Sequence, residues 1–244
     1  MANQMDIGAI TLLDVLGWKG IWQRRIDAID ALEGLLNKAE SKVKEHFNSG
    51  KENHLKTVDG LKVEFRSISD TIALVTYGEI NKAIAYQSLI NSYLVSLSIQ
   101  AQIPLRGATS YGELRISNNI MVGPAVDEVA SWYEMSDTIG VFLTPSALLQ
   151  TDLNEIIFVP PTLVYDDVKI KGYPTYKTIC INWVAVWGYI LKLNRKDLVN
   201  QFLKMGPITP NIFSKYFNSL DFYDKHVVEV EGYIVSKEIA TQKK

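Results

Sequence analysis

The order of apolar segments in the first half of the chain constrains the fold more than any other sequence feature. Four segments have the apolar, alternating or β-branched composition of strands: 7–14, 61–66, 71–77 and 105–112. Two longer segments between them, 21–47 and 80–101, carry apolar residues at the three- to four-residue spacing of helices. The resulting order, β-α-β-β-α-β, is that of the split βαβ or ferredoxin-like arrangement, an antiparallel sheet with helices on one face. The sequence therefore predicts an α+β fold.

The rest of the chain extends this core. The sequence next predicts a helix at 124–134, a strand at 139–144 and a proline-marked connection at 158–167. It then predicts a strand that leads into a Trp-rich buried helix at 178–193, and an amphipathic segment at 210–240. Because no repeat or low-complexity linker divides the chain, we expect residues 1–150 to form the core domain. Residues 151–244 are then an α/β C-terminal elaboration packed on the same domain.

Composition excludes several function classes. With 25 Lys and Arg against 27 Asp and Glu, the chain has a net charge of −2 and cannot hold nucleic acid by bulk positive charge. Its single cysteine, Cys180, cannot form a disulfide framework and favours a reducing compartment. The first residues lack the pattern of a signal peptide, and no run reaches the length of a membrane span. We therefore expect a cytoplasmic protein without nucleic-acid or membrane partners.

Two aspartates lie where adjacent strands turn. Asp14 ends the first predicted strand and Asp70 lies in the turn of the following hairpin. If the first two strands are neighbours, both carboxylates emerge at one edge of the sheet. Oxygen ligands of this kind suit Mg²⁺ or Mn²⁺ bound together with a polyphosphate. Taken singly, each aspartate is more often a helix cap or a turn residue.

A glycine turn follows Asp14 directly. The segment Val15-Leu16-Gly17-Trp18-Lys19 reads as a tight turn that opens a helix. Backbone N–H groups and the helix dipole at such a turn could hold a triphosphate.

These motifs together resemble one protein family. LLDVLGWK, the hairpin FRSISDTIALV, the strand LRGATSYGEL and the helix NNIMVGPAVDEVASWYE follow one another in the order found in class III nucleotidyl cyclases. The match covers residues 7–135. Within that family, the hairpin, the RGA strand and the GPA helix are most similar to the pyrimidine cyclases of bacterial Pycsar anti-phage systems.

The resemblance implies an activity and a metal site. Asp14 and Asp70, with the backbone carbonyl of Val15, would hold two divalent ions, Mg²⁺ or Mn²⁺. The ions would activate the ribose 3′-hydroxyl of a nucleoside triphosphate for attack on the α-phosphorus, with pyrophosphate leaving. Replacing either aspartate by Asn is expected to abolish turnover while stability holds or rises slightly, because two close carboxylates repel.

Other residues are candidates for substrate binding. Gly17 and Lys19 are phosphate candidates, whereas Trp18 would either stack on the nucleotide or, more often for such a residue, pack in the core. Asn119 would contact the ribose or form the turn, and Tyr111, like Trp18, would either stack on the nucleotide or pack in the core.

The base pocket and the catalytic cation depart from the purine cyclases. Arg66 and Ile120 stand where those enzymes carry the Lys and Asp that read adenine, and Arg66 could donate to the O2 carbonyl of a pyrimidine or simply pair with a surface carboxylate. The helix lacks the family's Asn and Arg and offers Asp127 or Glu128 and Trp132 instead. Arg106 is then the first choice for the charge-stabilising cation.

The resemblance also implies a homodimer with composite sites, and the apolar circumference of the 80–101 helix gives a second reason to expect one. The leading interpretation is a cyclase that converts CTP or UTP to 3′,5′-cyclic CMP or UMP. Its product would act on a cyclic-nucleotide-sensing effector. A purine cyclase with an unusual pocket, and a catalytically silent domain that binds a nucleotide or a partner, remain alternatives.

Overall fold

The chain is described here as a computed structural model that covers residues 5–18, 26–48, 61–68, 71–118, 120–156, 162–205 and 208–242. Within these residues, the strands are β1 to β8: Asp6–Val15, Val63–Ile68, Thr71–Tyr77, Leu105–Ser117, Ile120–Val122, Gly140–Leu143, Leu163–Ile170 and Tyr173–Ile181. The α-helices of the same residues are α1 to α7: Ala28–Asn48, Ile80–Gln100, Pro124–Trp132, Pro145–Gln150, Trp183–Ala185, Arg195–Lys204 and Pro210–Gln242. A π-helical segment, Val186–Ile190, continues α5.

The strands form one mixed sheet with the order β2-β3-β1-β4-β6-β8-β7, and β5 pairs with β4. Pairing among the first four strands of that order is antiparallel, whereas β4 and β6 are parallel. The α+β class and the β-α-β-β-α-β order of the core are therefore confirmed. The assumption that the first two strands are neighbours is wrong, because β3 lies between β1 and β2.

Polar side chains show which helix covers which face of the sheet. Thr11 in β1 and its cross-strand neighbour Thr109 in β4 hydrogen-bond each other, and Thr11 also contacts Gln87 in α2. Ser110, the next residue of β4, instead donates to the Ala125 carbonyl oxygen of α3. Because successive strand residues point to opposite faces, α2 and α3 cover opposite faces of the sheet.

Helix α2 is buried on almost every side by its own chain. Between Asn81 and Ile99, every residue except Lys82 and Tyr86 is buried. The sheet covers one side of the helix, and α1, α5 and α6 pack on the others. The apolar circumference of α2 is thus satisfied within the monomer, and it gives no reason to expect a subunit interface.

Several elements differ from the sequence expectation. The polar residues after Gly112 continue β4 to Ser117 and form a hairpin with β5. The expected connection 158–167 contains the start of β7 instead. Helices α4 and α6 were not predicted, although α6 begins with the capping box of Asn194 and Asp197, a recognisable start signal.

The C-terminal part joins the same sheet and core. Strands β7 and β8 extend the sheet beyond β6. Trp183 in α5 is fully buried, and its ring stacks on Phe222 of α7 at a centroid distance of 6.0 Å. The expected Trp-rich buried helix is confirmed, as a short α-turn followed by the π-helical segment.

Burial raises the pKa of the Cys180 thiol well above its ordinary value, so the thiolate form that reacts is disfavoured.

In the described part of the chain, every helix is too short or too polar to cross a bilayer.

Gly107 in β4 permits a close approach of β1. A Cβ atom there would lie 2.1 Å from the Leu12 carbonyl oxygen, whereas a Cβ at the exposed Gly34 of α1 would meet nothing within 4 Å. We expect Gly107→Ala to lower the free energy of unfolding by about 3 kcal/mol, the upper part of the range for overpacked cores. Gly34→Ala should instead stabilise by about 0.5–1 kcal/mol, because Ala is the better helix former. Urea denaturation of both variants would check this, and equal effects would contradict it.

An ionic contact attaches α7 to β7. Asp166 in β7 lies 3.3 Å from the Lys225 amine and 3.6 Å from His226 Nε2. Burial alone would raise the pKa of the Asp166 carboxyl, but its contacts with His226, with the backbone N–H of Asp167 and with Lys225 outweigh burial and lower that pKa to about 2.

This lowered pKa predicts an acid-dependent loss of stability. An aspartate ionises near 3.8 before folding, so the contribution of Asp166 is complete above that pH and is lost as the pH falls towards 2. The expected contribution is about 2 kcal/mol, which Asp166→Asn should remove from the pH profile of unfolding between pH 2 and 5. The exposed neighbour provides the control variant Asp167→Asn. Identical profiles for Asp166→Asn and the wild type would contradict the assignment.

Candidate active site

Asp14 and Arg106 form a buried ion pair at one end of the sheet. They lie opposite each other in the register of β1 and β4. The Arg106 Nε atom donates to Asp14 Oδ2 at 2.8 Å, and Nη2 lies 2.7 Å from the same oxygen. The side chain of Arg106 is only 8% exposed, and that of Asp14 is 14% exposed. Since water screens little here, each charge depends on the other for compensation.

A backbone carbonyl holds the other side of the guanidinium. Arg106 Nη1 donates to the Ser136 carbonyl oxygen at 3.1 Å, in the segment that leads into β6. Ser110 faces α3, and Ile10 lies opposite Ser110 in the register of β1 and β4. Asp14 is an even number of residues from Ile10, and Arg106 is an even number from Ser110. Asp14 and Arg106 therefore lie on the face of the sheet that α3 covers. The contacts of Arg106 therefore connect β1, β4 and the segment that precedes β6.

The turn after Asp14 has the backbone geometry of a glycine turn. Gly17 has a φ of 77°, a conformation that residues with a Cβ rarely adopt. The Trp18 N–H donates to the Val15 carbonyl oxygen at 3.2 Å, and the Leu16 N–H donates to the Pro104 carbonyl oxygen at 2.9 Å. These bonds fix the turn beside the carboxylate of Asp14.

A cavity of about 290 Å³ opens beside the ion pair. Its lining includes Asp14, Gly17 and Arg106, together with Lys171 from the β7–β8 turn and Lys215 from α7. Partial loss of hydration, and then the positive charges of Arg106 and Lys215, lower the pKa of the Lys171 amine. Among the described residues, the cavity therefore combines the Asp14 carboxylate with three cationic side chains.

Lys171 and Lys215 were not candidates from the sequence. Each lies far along the chain from Asp14 in a segment without a motif, so no local signal marks either lysine. Only the packing of the β7–β8 turn and of α7 against the end of the sheet brings them to the cavity.

Arg66 lies outside this cavity. Its Nη2 atom donates to Glu64 Oε2 at 3.1 Å on the same strand, and its side chain is 43% exposed. In the register of the sheet Arg66 lies opposite Ala73, which lies opposite Leu12, so Arg66 shares the Asp14 face two strands away. That separation is roughly 10 Å at the usual spacing of strands. Ile120 is 65% exposed on β5.

Several aromatic and helical candidates have structural roles. Trp18 is buried in the core, and the Tyr111 hydroxyl donates to the Gly78 carbonyl oxygen. Trp132 packs on Phe142 and Tyr176, and Glu128 Oε1 accepts from the Ser146 N–H at the start of α4. A nucleotide could stack on the Trp18 ring only if the core opened.

Three predicted site residues, Lys19, Asp70 and Asn119, lie outside the described residues. Thr71, which follows Asp70 in the chain, lies opposite Asp14 in the register of β1 and β3. The assignments of Lys19, Asp70 and Asn119 stay predictions.

The oxygen ligands present suit a hard divalent cation only in part. Within the described residues, no group of three or more His, Cys, Asp or Glu side chains could hold a metal ion. Asp14 supplies a carboxylate and Val15 a backbone carbonyl, which are ligand types that Mg²⁺ accepts. Mg²⁺ is commonly held by one or two carboxylates together with substrate phosphates and water, so the residues fit if Asp70 and a polyphosphate complete the set.

Comparisons with known proteins identify no family. No protein-family model and no curated protein matches the chain. Among solved structures, the chain is similar to adenylate cyclases from Trypanosoma brucei in their monomeric state, with 9% identity, a TM-score of 0.46, and coverage of 73% of this chain and 90% of that one.

Two further solved structures are similar. The catalytic core of a rhodopsin-guanylyl cyclase with converted specificity, in complex with ATPαS, has 14% identity, a TM-score of 0.44 and coverage of 72% and 95%. A class III adenylyl cyclase-like ATP-binding protein from Pseudomonas aeruginosa has 12% identity, a TM-score of 0.39 and coverage of 61% and 35%. Similarity at these scores assigns neither a family nor an activity to the chain.

The ion pair changes the expected stability of site variants. We expect Arg106→Met to cost about 3 kcal/mol of unfolding free energy, because it leaves a buried carboxylate without its cation. Asp14→Asn should also destabilise, contrary to the sequence expectation, since Arg106 then loses its counter-charge. The double variant should lose less than the sum of the single losses.

Urea denaturation at neutral pH measures this cycle. Arg66→Met is the matched control, because its partner Glu64 forms a more exposed pair that is worth at most about 1 kcal/mol. Additive losses, or an Arg106→Met loss no larger than that of Arg66→Met, would show that the pair contributes little.

Proposed function

We propose that this protein is a nucleotide cyclase that converts CTP or UTP to 3′,5′-cyclic CMP or UMP and pyrophosphate. The observation that carries the proposal is the contact between Asp14 and Arg106 at the end of β1, beside the Gly17 turn and a cavity lined by two further cations. A carboxylate for a divalent cation and cationic groups for phosphates are the components that phosphoryl transfer requires. The sequence resemblance supplies the particular reaction.

In this reaction the ribose 3′-hydroxyl loses its proton to water and the 3′-oxygen forms a bond to the α-phosphorus. The bond from that phosphorus to the bridging oxygen breaks, and pyrophosphate leaves. Asp14, the carbonyl of Val15 and Asp70 would hold the divalent ions, which supply charge neutralisation and activation of the 3′-hydroxyl. Thr71 lies opposite Asp14 and directly follows Asp70 in the chain. This position of Thr71 supports Asp70 as the second carboxylate.

Arg106 is proposed as the cation that stabilises charge on the phosphoryl oxygens. A guanidinium has five N–H donors, and the contacts to Asp14 and Ser136 engage its three nitrogen atoms with one donor each. Donors therefore remain for a phosphate while the orientation of Arg106 is kept. Because Arg106 and Asp14 touch within one chain, Arg106 acts from the same subunit as Asp14.

Arg66 is proposed to select the base. It stands in place of a purine-reading lysine and lies on the Asp14 face at roughly 10 Å, two strand spacings from β1. A nucleotide with its phosphates beside Asp14 could direct its base along this face. To reach a pyrimidine O2, Arg66 would exchange its contact with Glu64 for the substrate.

The resemblance extends the proposal beyond the reaction. We propose a homodimer and a signalling role in anti-phage defence, in which the cyclic nucleotide acts on a separate effector. The homodimer rests on the resemblance alone, because α2 is covered within the monomer.

One observation favours a second function. Arg106 already neutralises the carboxylate that a divalent ion would need. A catalytically silent domain that binds a nucleotide without turning it over would retain such a pair. Turnover distinguishes the two functions.

Incubation with each of the four nucleoside triphosphates and Mn²⁺, followed by mass spectrometry of the products, tests the proposal. We expect cyclic CMP or UMP from the wild type, and no product from Asp14→Asn or Asp70→Asn, because each removes charge from a hard-cation ligand. Arg66→Ala should reduce the preference for pyrimidines by roughly 5- to 150-fold, the effect of one lost polar contact.

Folding of each variant is verified by its urea transition, so that loss of product is not confused with loss of structure. Cyclic AMP or GMP as the main product would overturn the pyrimidine assignment. Nucleotide binding without any cyclic product would establish the silent domain instead.

A further inference from the structure

The start of α7 forms a wall of the cavity beside Asp14. Asn211, Lys215 and Tyr216, which occupy the first two turns of this helix, line the cavity together with Gly17 and Arg106. A second, more open cavity of about 750 Å³ shares Asn211, Lys215 and Lys171 with the first. Lys215 thus lines both of these cavities.

Two contacts fix this part of α7 on the core. Ser219 Oγ accepts from the Ile139 N–H at 2.9 Å, and Asn218 Nδ2 donates to the Asp137 carbonyl oxygen at 2.8 Å. Both partners lie in the segment that leads into β6, which also supplies the Ser136 carbonyl to Arg106. Helix α7 and Arg106 are therefore positioned by the same short segment.

The Lys215 amine has two partners within the chain. It donates to the Asn211 carbonyl oxygen at 2.7 Å and lies 3.2 Å from Asp137 Oδ1, and its side chain is 17% exposed. An amine has three donors, so it can contact an anion while it keeps these two partners.

Cationic side chains outnumber acidic ones among the described residues that line the first cavity. The cations are Arg106, Lys171 and Lys215, and the acidic residue is Asp14. Asp137, which lies outside this lining, pairs with Lys215. Partial burial lowers the pKa of the Lys171 amine, and the positive charges of Arg106 and Lys215 lower it further, as neighbouring cations do. A polyanion would relieve this repulsion.

We propose that the first turns of α7 complete the polyphosphate site from within the same chain, with the Lys215 amine as a direct phosphate ligand. The ligand class is a linear polyphosphate, the triphosphate of the substrate or the pyrophosphate product, so the proposal rests on the function given above. The C-terminal elaboration is thereby part of the binding site, and the phosphate-binding charge of the described cavity comes from a single subunit.

Binding of inorganic tripolyphosphate, measured by isothermal titration calorimetry without metal ion or nucleotide, tests this proposal apart from catalysis. We expect Lys215→Gln to weaken binding about tenfold, because it removes one charge-assisted hydrogen bond. Lys215→Arg should retain most of the affinity. Lys204→Gln, an exposed lysine of α6 that does not line the cavity, is the matched control and should bind as the wild type does.

The urea transition of each variant shows whether α7 stays attached. Lys215→Gln should unfold nearly as the wild type does, because the Asp137 partner is partly solvated. Wild-type affinity in Lys215→Gln, or equal loss in Lys204→Gln, would overturn the proposal. Absence of tripolyphosphate binding to the wild type would also overturn it. Tripolyphosphate binding that depends on Lys215, together with no cyclic product from any nucleotide, would refute the cyclase activity and leave the polyphosphate site standing.

Discussion

The buried contact between Asp14 and Arg106 is the interaction on which the site depends. Both side chains are largely removed from water, so neither charge is tolerable without the other. The guanidinium also bonds the Ser136 carbonyl, which links the pair to the entry of β6. A divalent ion that binds the Asp14 carboxylate must therefore share it with a contact that already stabilises the folded chain.

The register of β1 and β4 makes this contact possible. On the opposite face, Thr11 bonds Thr109 across the two strands, and Gln87 and Asn91 of α2 contact Thr11 as well. A slip of one residue would leave these buried polar groups without partners and would turn Asp14 to the other face. The polar contacts on the α2 face of the sheet thus stabilise the register that positions the ion pair on the α3 face.

The C-terminal part of the chain contributes to both stability and the site. Helices α5 and α6 cover sides of α2 that the sheet cannot reach, and this removes the apolar surface that the sequence had suggested for a dimer. Helix α7 is attached through Asp166 at one place and through Ser219 at another, and it brings Lys215 to the cavity. The same packing that completes the core therefore delivers cationic charge to Asp14.

Local patterns in the sequence determined the α+β class, the β-α-β-β-α-β order, the position of Asp14 at a strand end and the turn at Gly17. Each depends on periodicity or on the backbone preference of neighbouring residues, which a single segment carries. Only the tertiary structure decided that β3 separates β1 from β2, that Trp18 packs in the core, and that α2 is covered within the monomer. It also decided that Arg106 binds Asp14 across 92 residues and that Lys171 and Lys215 reach the cavity. Such contacts join segments that are distant in the chain, and they are selected by the packing of the whole core rather than by any local pattern.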